Sequence, residues 1–293
     1  MTSRLRRTLG ILALTVGLTA GPALMAAAIT GGTADGEGHP NVGMIVFYDQ
    51  DGRFRCSATL VSPTVVLTAA HCTTGTLGKT LVTFNSVIAQ AEPSGIPPAA
   101  DPAAGYTGAE TVPAGYIFGT AYADPAYSNF TDMTNWNDVG VIVLDASAAQ
   151  AVADAGIQPA RIAPANYLDA FAQPKLNSTL FTSVGYGTEV RKPASGPQKP
   201  TPESYPLIRR FAEEPGQKLT PQILQVNGNI NDTRGTGGTC FGDSGGPTFH
   251  GGFVVTVTSY GYTSNCRYLG GMQRVDIPIV QNWLSQEFGV TFG

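Results

Sequence analysis

Gly242-Asp243-Ser244-Gly245-Gly246-Pro247, near the C-terminal end of the chain, sets a single serine hydroxyl among three glycines and a proline. Glycine reaches backbone angles closed to other residues, so a ligand carbonyl can approach this main chain closely and meet its N–H groups. A tight surface turn has a similar composition, so the reading depends on what else the chain carries. Only three histidines exist, His39, His71 and His250. His71 ends Val65-Val66-Leu67-Thr68-Ala69-Ala70-His71-Cys72, where an apolar, β-branched run predicts a buried strand leading to the imidazole. A rigid element of that kind is where a reactive side chain needs to sit. Between them, Trp136-Asn137-Asp138-Val139-Gly140-Val141-Ile142-Val143-Leu144 places an acid at the mouth of another apolar strand. Burying that carboxylate is costly unless it is hydrogen-bonded, and an imidazole N–H is a natural partner.

With His71, Asp138 and Ser244 in this chain order, the sequence resembles the trypsin-like (chymotrypsin-fold) serine protease family. The strings Thr68-Ala69-Ala70-His71-Cys72 and Gly242-Asp243-Ser244-Gly245-Gly246-Pro247 carry the resemblance. Asn137-Asp138-Val139-Gly140-Val141 matches more loosely, and Gly185-Tyr186-Gly187 and Ser259-Tyr260-Gly261 have tyrosine where the family has tryptophan. The resemblance runs from Ile29 to the C-terminus. It implies an all-β fold of two packed six-stranded antiparallel β-barrels followed by a C-terminal helix. By the same resemblance Ser244 is the nucleophile, His71 the general base and Asp138 the residue that orients it, with the N–H groups of Gly242 and Ser244 as an oxyanion hole. It pairs Cys56 with Cys72 and Cys240 with Cys266, where the count of four alone allows three pairings. It puts Gly238 at the floor of the specificity pocket, with Ser259, Gly261 and Gly270 around it. Such a pocket is open and uncharged, and favours large apolar or aromatic side chains before the scissile bond.

The remaining composition agrees. Thirty-six glycines, 21 prolines and 13% charged residues suit many short strands joined by turns. The N-terminus reads as a secretory signal peptide over residues 1–28: Arg4, Arg6 and Arg7, then apolar Leu9–Leu18, then Ala26-Ala27-Ala28. Its removal, with three arginines and no acid, takes the formal net charge from −4 to −7 and leaves residues 29–293 as the protease domain. The expected layout is a first barrel over about 29–150, a second over about 151–275 and the helix over about 276–288. The mature protein is expected to be secreted, extracellular and monomeric, free of the membrane, and to act on proteins or peptides. No basic surplus exists to recruit nucleic acid. No cofactor is expected, and no metal, because no Cys-x-x-Cys pair occurs.

The new terminus at Ile29 begins Ile-Thr-Gly-Gly, similar to the family's activated terminus, whose ammonium pairs with the aspartate before the serine, here Asp243. Signal cleavage alone would then produce the active terminus. Residues 89–111 and 188–205 read as flexible exposed loops, and His39 and His250 lie in turns and are expected to be exposed. Ile277, Val280, Trp283, Leu284 and Phe288 share one helical face, with Asp276 as the expected N-cap. Two other functions compete. A nucleophile elbow of an α/β-hydrolase is set aside, because there the histidine follows the serine and only His250 does so here. The alternative that remains is a non-catalytic protease homologue acting as a binding protein.

Overall fold

A computed structural model describes residues 29–191 and 201–293; the expected signal peptide and residues 192–200 of the second loop lie outside the described residues. The chain runs through β1 (Thr33–Ala34), β2 (Val42–Asp49), β3 (Gly52–Ser62), β4 (Val65–Thr68), β5 (Leu77–Thr83), β6 (Val87–Ala89), β7 (Tyr116–Ala123) and β8 (Gly140–Leu144). Helix α1 (Ala146–Asp154) and the one-turn α2 (Lys175–Ser178) bridge to β9 (Leu180–Gly185), β10 (Glu189–Arg191), β11 (Thr201–Glu203), β12 (Leu207–Ile208) and β13 (Arg210–Leu219). Then follow β14 (Ile223–Asn227), β15 (Pro247–His250), β16 (Phe253–Gly261), β17 (Leu269–Arg274) and α3 (Pro278–Phe288).

Two closed barrels result. The first has the order β2-β3-β4-β8-β7-β5; the second is β13-β14-β17-β16-β15-β9, closed by the β9–β13 pairing. All these pairings are antiparallel, and closure leaves neither barrel a free edge among them. The strands next to the site are apolar throughout because both of their faces are covered. In β4, Val66 points into the first barrel beside Ile45, Leu60 and Ile142. Its neighbours Val65 and Leu67 point outward and pack with Val254, Val257 and Val275 of the second barrel. A period of two thus assigns alternate residues to a barrel core and to the seam between barrels. Each fully buried aliphatic contributes about 1.5–3 kcal/mol.

The C-terminal helix closes the same seam with Val280 and Leu284 buried. It starts later than expected, and Asp276 is not its cap. Pro278 occupies the first turn after Ile277, while Asp276 accepts bonds from Arg274 Nε at 2.8 Å and Leu168 N–H at 2.8 Å. Its carboxylate is consumed by a buried ion pair instead.

Two other expectations need correction. The 89–111 segment is not a free loop: Tyr106 is fully buried against Tyr48 and Phe118, and Arg53 holds the carbonyls of Ile96 and Pro97. One inward aromatic is enough to anchor it. The two turn histidines are half-buried rather than exposed. His39 Nδ1 lies 2.6 Å from Asp35, which also accepts from buried Arg209 at 2.7 Å. His250 sits among Tyr167, Phe171 and Phe181, and burial pushes its imidazole below its ordinary value.

Candidate active site

Three segments from the two barrels converge at the seam. Leaving β4, the chain makes a single 3-10 turn, Ala70–Cys72, which carries His71 and is tied by the Cys56–Cys72 disulfide to β3. Asp138 lies just before β8, which pairs with β4 through Thr68↔Gly140. That pairing sets acid and imidazole side by side: His71 Nδ1 is 2.8 Å from Asp138 Oδ2, and the His71 backbone N–H donates to Oδ1 at 2.9 Å. Asp138 is wholly buried, and Ser259 Oγ donates to its Oδ2 at 2.6 Å while accepting from Trp136 Nε1 at 2.9 Å. With Nδ1 occupied by the carboxylate, Nε2 is the ring nitrogen left for other chemistry.

Ser244 comes from the second barrel and is locked onto the first. Its carbonyl accepts from Ser57 N–H at 2.8 Å, next to Cys56, and Ser57 Oγ donates to the Gly242 carbonyl at 2.9 Å. Gly245 permits this approach. It has φ +73°, and a Cβ there would stand 2.0 Å from Thr68 Oγ1 and 2.7 Å from the Ala69 nitrogen. No hydrogen bond joins Ser244 Oγ to His71 among the described residues. The N–H groups of Gly242 and Ser244 likewise donate to no described residue, so two adjacent backbone donors remain open beside the hydroxyl.

Asp243 points the other way, into the protein. It accepts from Gly187 N–H at 2.7 Å and Cys240 N–H at 2.8 Å and is buried. Burial raises its pKa to about 7, against the pull of those two donors and of Arg55 and Arg210. Ile29 is also buried, and Thr30 pairs with Gly238 across an isolated bridge. With Ala28 still attached, Ile29 carries a peptide nitrogen and no ammonium to offer Asp243.

Beside Ser244 opens a pocket of about 380 Å³ whose walls include Thr258, Ser259, Tyr260, Gly261, Leu269 and Gly270. The Cys240–Cys266 disulfide forms part of its rim. Glu214 also lines the pocket; it is wholly buried, and burial raises its pKa to about 8. Ser259, Gly261 and Gly270 line the pocket as expected, whereas Gly238, read as its floor, is not among the lining residues and packs instead against Gly228 and the Glu214 side chain. Sequence reading also missed Phe130, whose half-exposed ring stands 5.4 Å from the His71 ring and 5.2 Å from Trp136. The group Cys56, His71 and Cys72 has the look of a metal cluster, yet both sulfurs are spent in the disulfide.

Residues 117–284 match the sequence profile of the trypsin family. The chain belongs to the trypsin family. The matched span holds Asp138 and Ser244 and begins after His71. Over 248 residues the chain is 25% identical to brachyurin of Leptuca pugilator, covering 82% of this chain and 91% of that protein. Among solved structures, HL collagenase superposes with TM-score 0.57 at 18% identity, covering 87% of this chain and 95% of the other. Human heparin binding protein superposes with TM-score 0.53 at 17% identity, covering 88% and 95%. These superpositions speak for the shared two-barrel fold. No helix among the described residues is long and apolar enough to cross a membrane.

Proposed function

We propose that this chain is a secreted, monomeric serine endopeptidase working through His71, Asp138 and Ser244 on proteins or peptides. The observation that carries the reading is the committed His71 Nδ1, 2.8 Å from a buried carboxylate, together with the two open N–H groups flanking Ser244. His71 Nε2 takes the Ser244 proton as Oγ attacks the scissile carbonyl. Asp138 holds the ring in the required tautomer and stabilises the imidazolium that forms. The oxyanion is met by Gly242 and Ser244 N–H, an arrangement in which one donor is worth about 2.7–4 kcal/mol of barrier. His71 then protonates the leaving amine, and water hydrolyses the acyl-enzyme. Phe130 and Tyr260 give the cleft aromatic walls, and the pocket beside Ser244 has room for a large apolar or aromatic side chain.

Maturation belongs to the same reading. Removal of residues 1–28 frees an ammonium at Ile29 that pairs with Asp243, relieving a buried carboxylate of its unmatched charge. Sequencing the secreted protein is expected to find Ile29 first; another start refutes this step. The activity itself is tested by profiling wild type beside Ser244→Ala on a diverse peptide library. Cleavage by wild type alone is expected, and equal inactivity of both contradicts it.

A further inference from the structure

Asp138 is gripped through its side chain by His71 and Ser259, and through its backbone by a residue the mechanism does not use. Its N–H donates to Gln273 Oε1 of β17 at 3.1 Å. Gln273 Nε2 in turn donates to Gln222 Oε1 at 3.1 Å and to the Arg274 carbonyl at 3.0 Å. Gln222 Oε1 also faces the N–H of Asn137 at 3.4 Å. Both glutamines are buried, Gln273 completely. Strand pairing fixes their own places. Gln273 lies opposite Val257 of β16 and Ile223 of β14, and Arg274 N–H donates to the Gln222 carbonyl at 2.9 Å.

The turn they hold is not one the chain favours unaided. Asn137 has φ +44°, a left-handed value that a non-glycine residue adopts at a cost. Val139 N–H closes back on the Asn137 carbonyl at 2.8 Å, so Asp138 is the central residue of a three-residue turn. The Asp138 N–H takes no part in that closure and is buried, and Gln273 Oε1 is the acceptor that satisfies it. An apolar side chain of similar length would fill this core position without polar groups to satisfy. What the amide adds is an acceptor aimed at Asp138. The acid itself comes from the first barrel, while Ser259, Gln222 and Gln273 come from the second, so its placement is set across the seam.

We infer that Gln273, steadied by Gln222, is a positioning residue for the triad: its Oε1 fixes the backbone of Asp138 and so sets the carboxylate's approach to His71 Nδ1. This rests on the endopeptidase reading and adds two residues to it. Neither glutamine is hydrogen-bonded to His71 or Ser244 among the described residues, so both act only through Asp138. Without the Gln273 acceptor the turn shifts to satisfy its N–H elsewhere, and the carboxylate swings away from the imidazole. His71 then loses the partner that holds its tautomer and stabilises its charged form. The walls of the pocket beside Ser244 do not include either glutamine. The effect therefore falls on the chemical step and leaves substrate binding unchanged.

The test compares the secreted protein with Gln273→Met and Gln273→Glu. Methionine keeps the length and removes the acceptor. Glutamate keeps the acceptor, because burial holds its carboxyl protonated: the carbonyl accepts from Asp138 and the O–H donates to Gln222. On a peptide that wild type cleaves, Gln273→Met should lower kcat roughly tenfold to a hundredfold with KM within about twofold, and Gln273→Glu should recover most of the loss. Gln222→Met should act in the same direction, and Gln222→Met combined with Gln273→Met should lose no more than Gln273→Met alone. Nuclear magnetic resonance of the His71 Nδ1–H proton needs no turnover. Its low-field signal should move upfield or broaden in Gln273→Met and return in Gln273→Glu. That response supports the positioning role even if no peptide is cleaved, in which case the endopeptidase reading alone fails. A folded Gln273→Met with unchanged kcat or an unchanged His71 signal overturns the assignment, and so does a loss that Gln273→Glu shares in full. Where Gln273→Met does not fold, Gln222→Met carries the same two readouts, and no change in either overturns it.

Discussion

Ser259→Ala removes one hydroxyl that serves two buried partners. Its Oγ donates to Asp138 Oδ2 at 2.6 Å and accepts from Trp136 Nε1 at 2.9 Å. Asp138 is fully buried, and Trp136 is nearly so. A hydrogen bond to a charged acceptor is worth about 1.5–3 kcal/mol, and a buried donor left unpaired costs about 1–3 kcal/mol. The variant should therefore lose about 3 kcal/mol of stability, read as a lower urea midpoint with an unchanged slope. A double-mutant cycle isolates the charged part. With Asp138→Asn already present, the hydroxyl faces a neutral acceptor and its removal should cost about 1–2 kcal/mol less. A loss below about 0.5 kcal/mol for Ser259→Ala, a size typical of unremarkable surface changes, would refute the claim that this hydroxyl holds the acid in place.

Gly245→Ala should fail to give a folded, active protein, or should lose more than about 3 kcal/mol by thermal melting. The new methyl would meet Thr68 Oγ1 at 2.0 Å on a backbone held at φ +73°. Stability should also fall with rising pH. Glu214 and Asp243, with pKa values raised to about 8 and about 7 by burial, keep their protons in the folded chain where the unfolded chain has released them. Stability from this source is full below about pH 4 and is lost as pH rises through those values, by up to about 1.4 kcal/mol per pH unit per group. Glu214→Gln should flatten its share of the slope, and freeing the Ile29 ammonium should abolish that of Asp243. Urea unfolding across the range measures both, and a slope unchanged in Glu214→Gln contradicts them.

Short-range signals made much of this fold legible. The run Val65–Thr68 and the acid before Gly140 announced two buried strands, and their pairing is what brings His71 to Asp138. Glycines around Ser244 signalled a main chain open to a ligand carbonyl; that Gly245 is also needed for the close approach to Thr68 and Ala69 was not legible locally. Glu214 was harder to see. Strand alternation turns it inward, but the glycines that receive it lie in the stretch after β14, and nothing local to Glu213-Glu214 marks which of the two acids is buried. Asp276 shows the opposite failure. A local capping pattern lost to an ion pair with Arg274, two residues away, and to the N–H of distant Leu168. Tyr106 likewise turned a glycine- and proline-rich stretch into a packed one through distant contacts with Tyr48 and Phe118.

The central claim is that His71, held by Asp138, activates the Ser244 hydroxyl. An organophosphorus fluoridate such as diisopropyl fluorophosphate reads this directly, since it phosphorylates a serine in proportion to its activation. Mass spectrometry of the treated secreted protein should find one modified residue, Ser244, with no modification in the urea-unfolded chain or in His71→Ala. A folded wild type left unmodified, or one modified equally when His71 is gone, would contradict it.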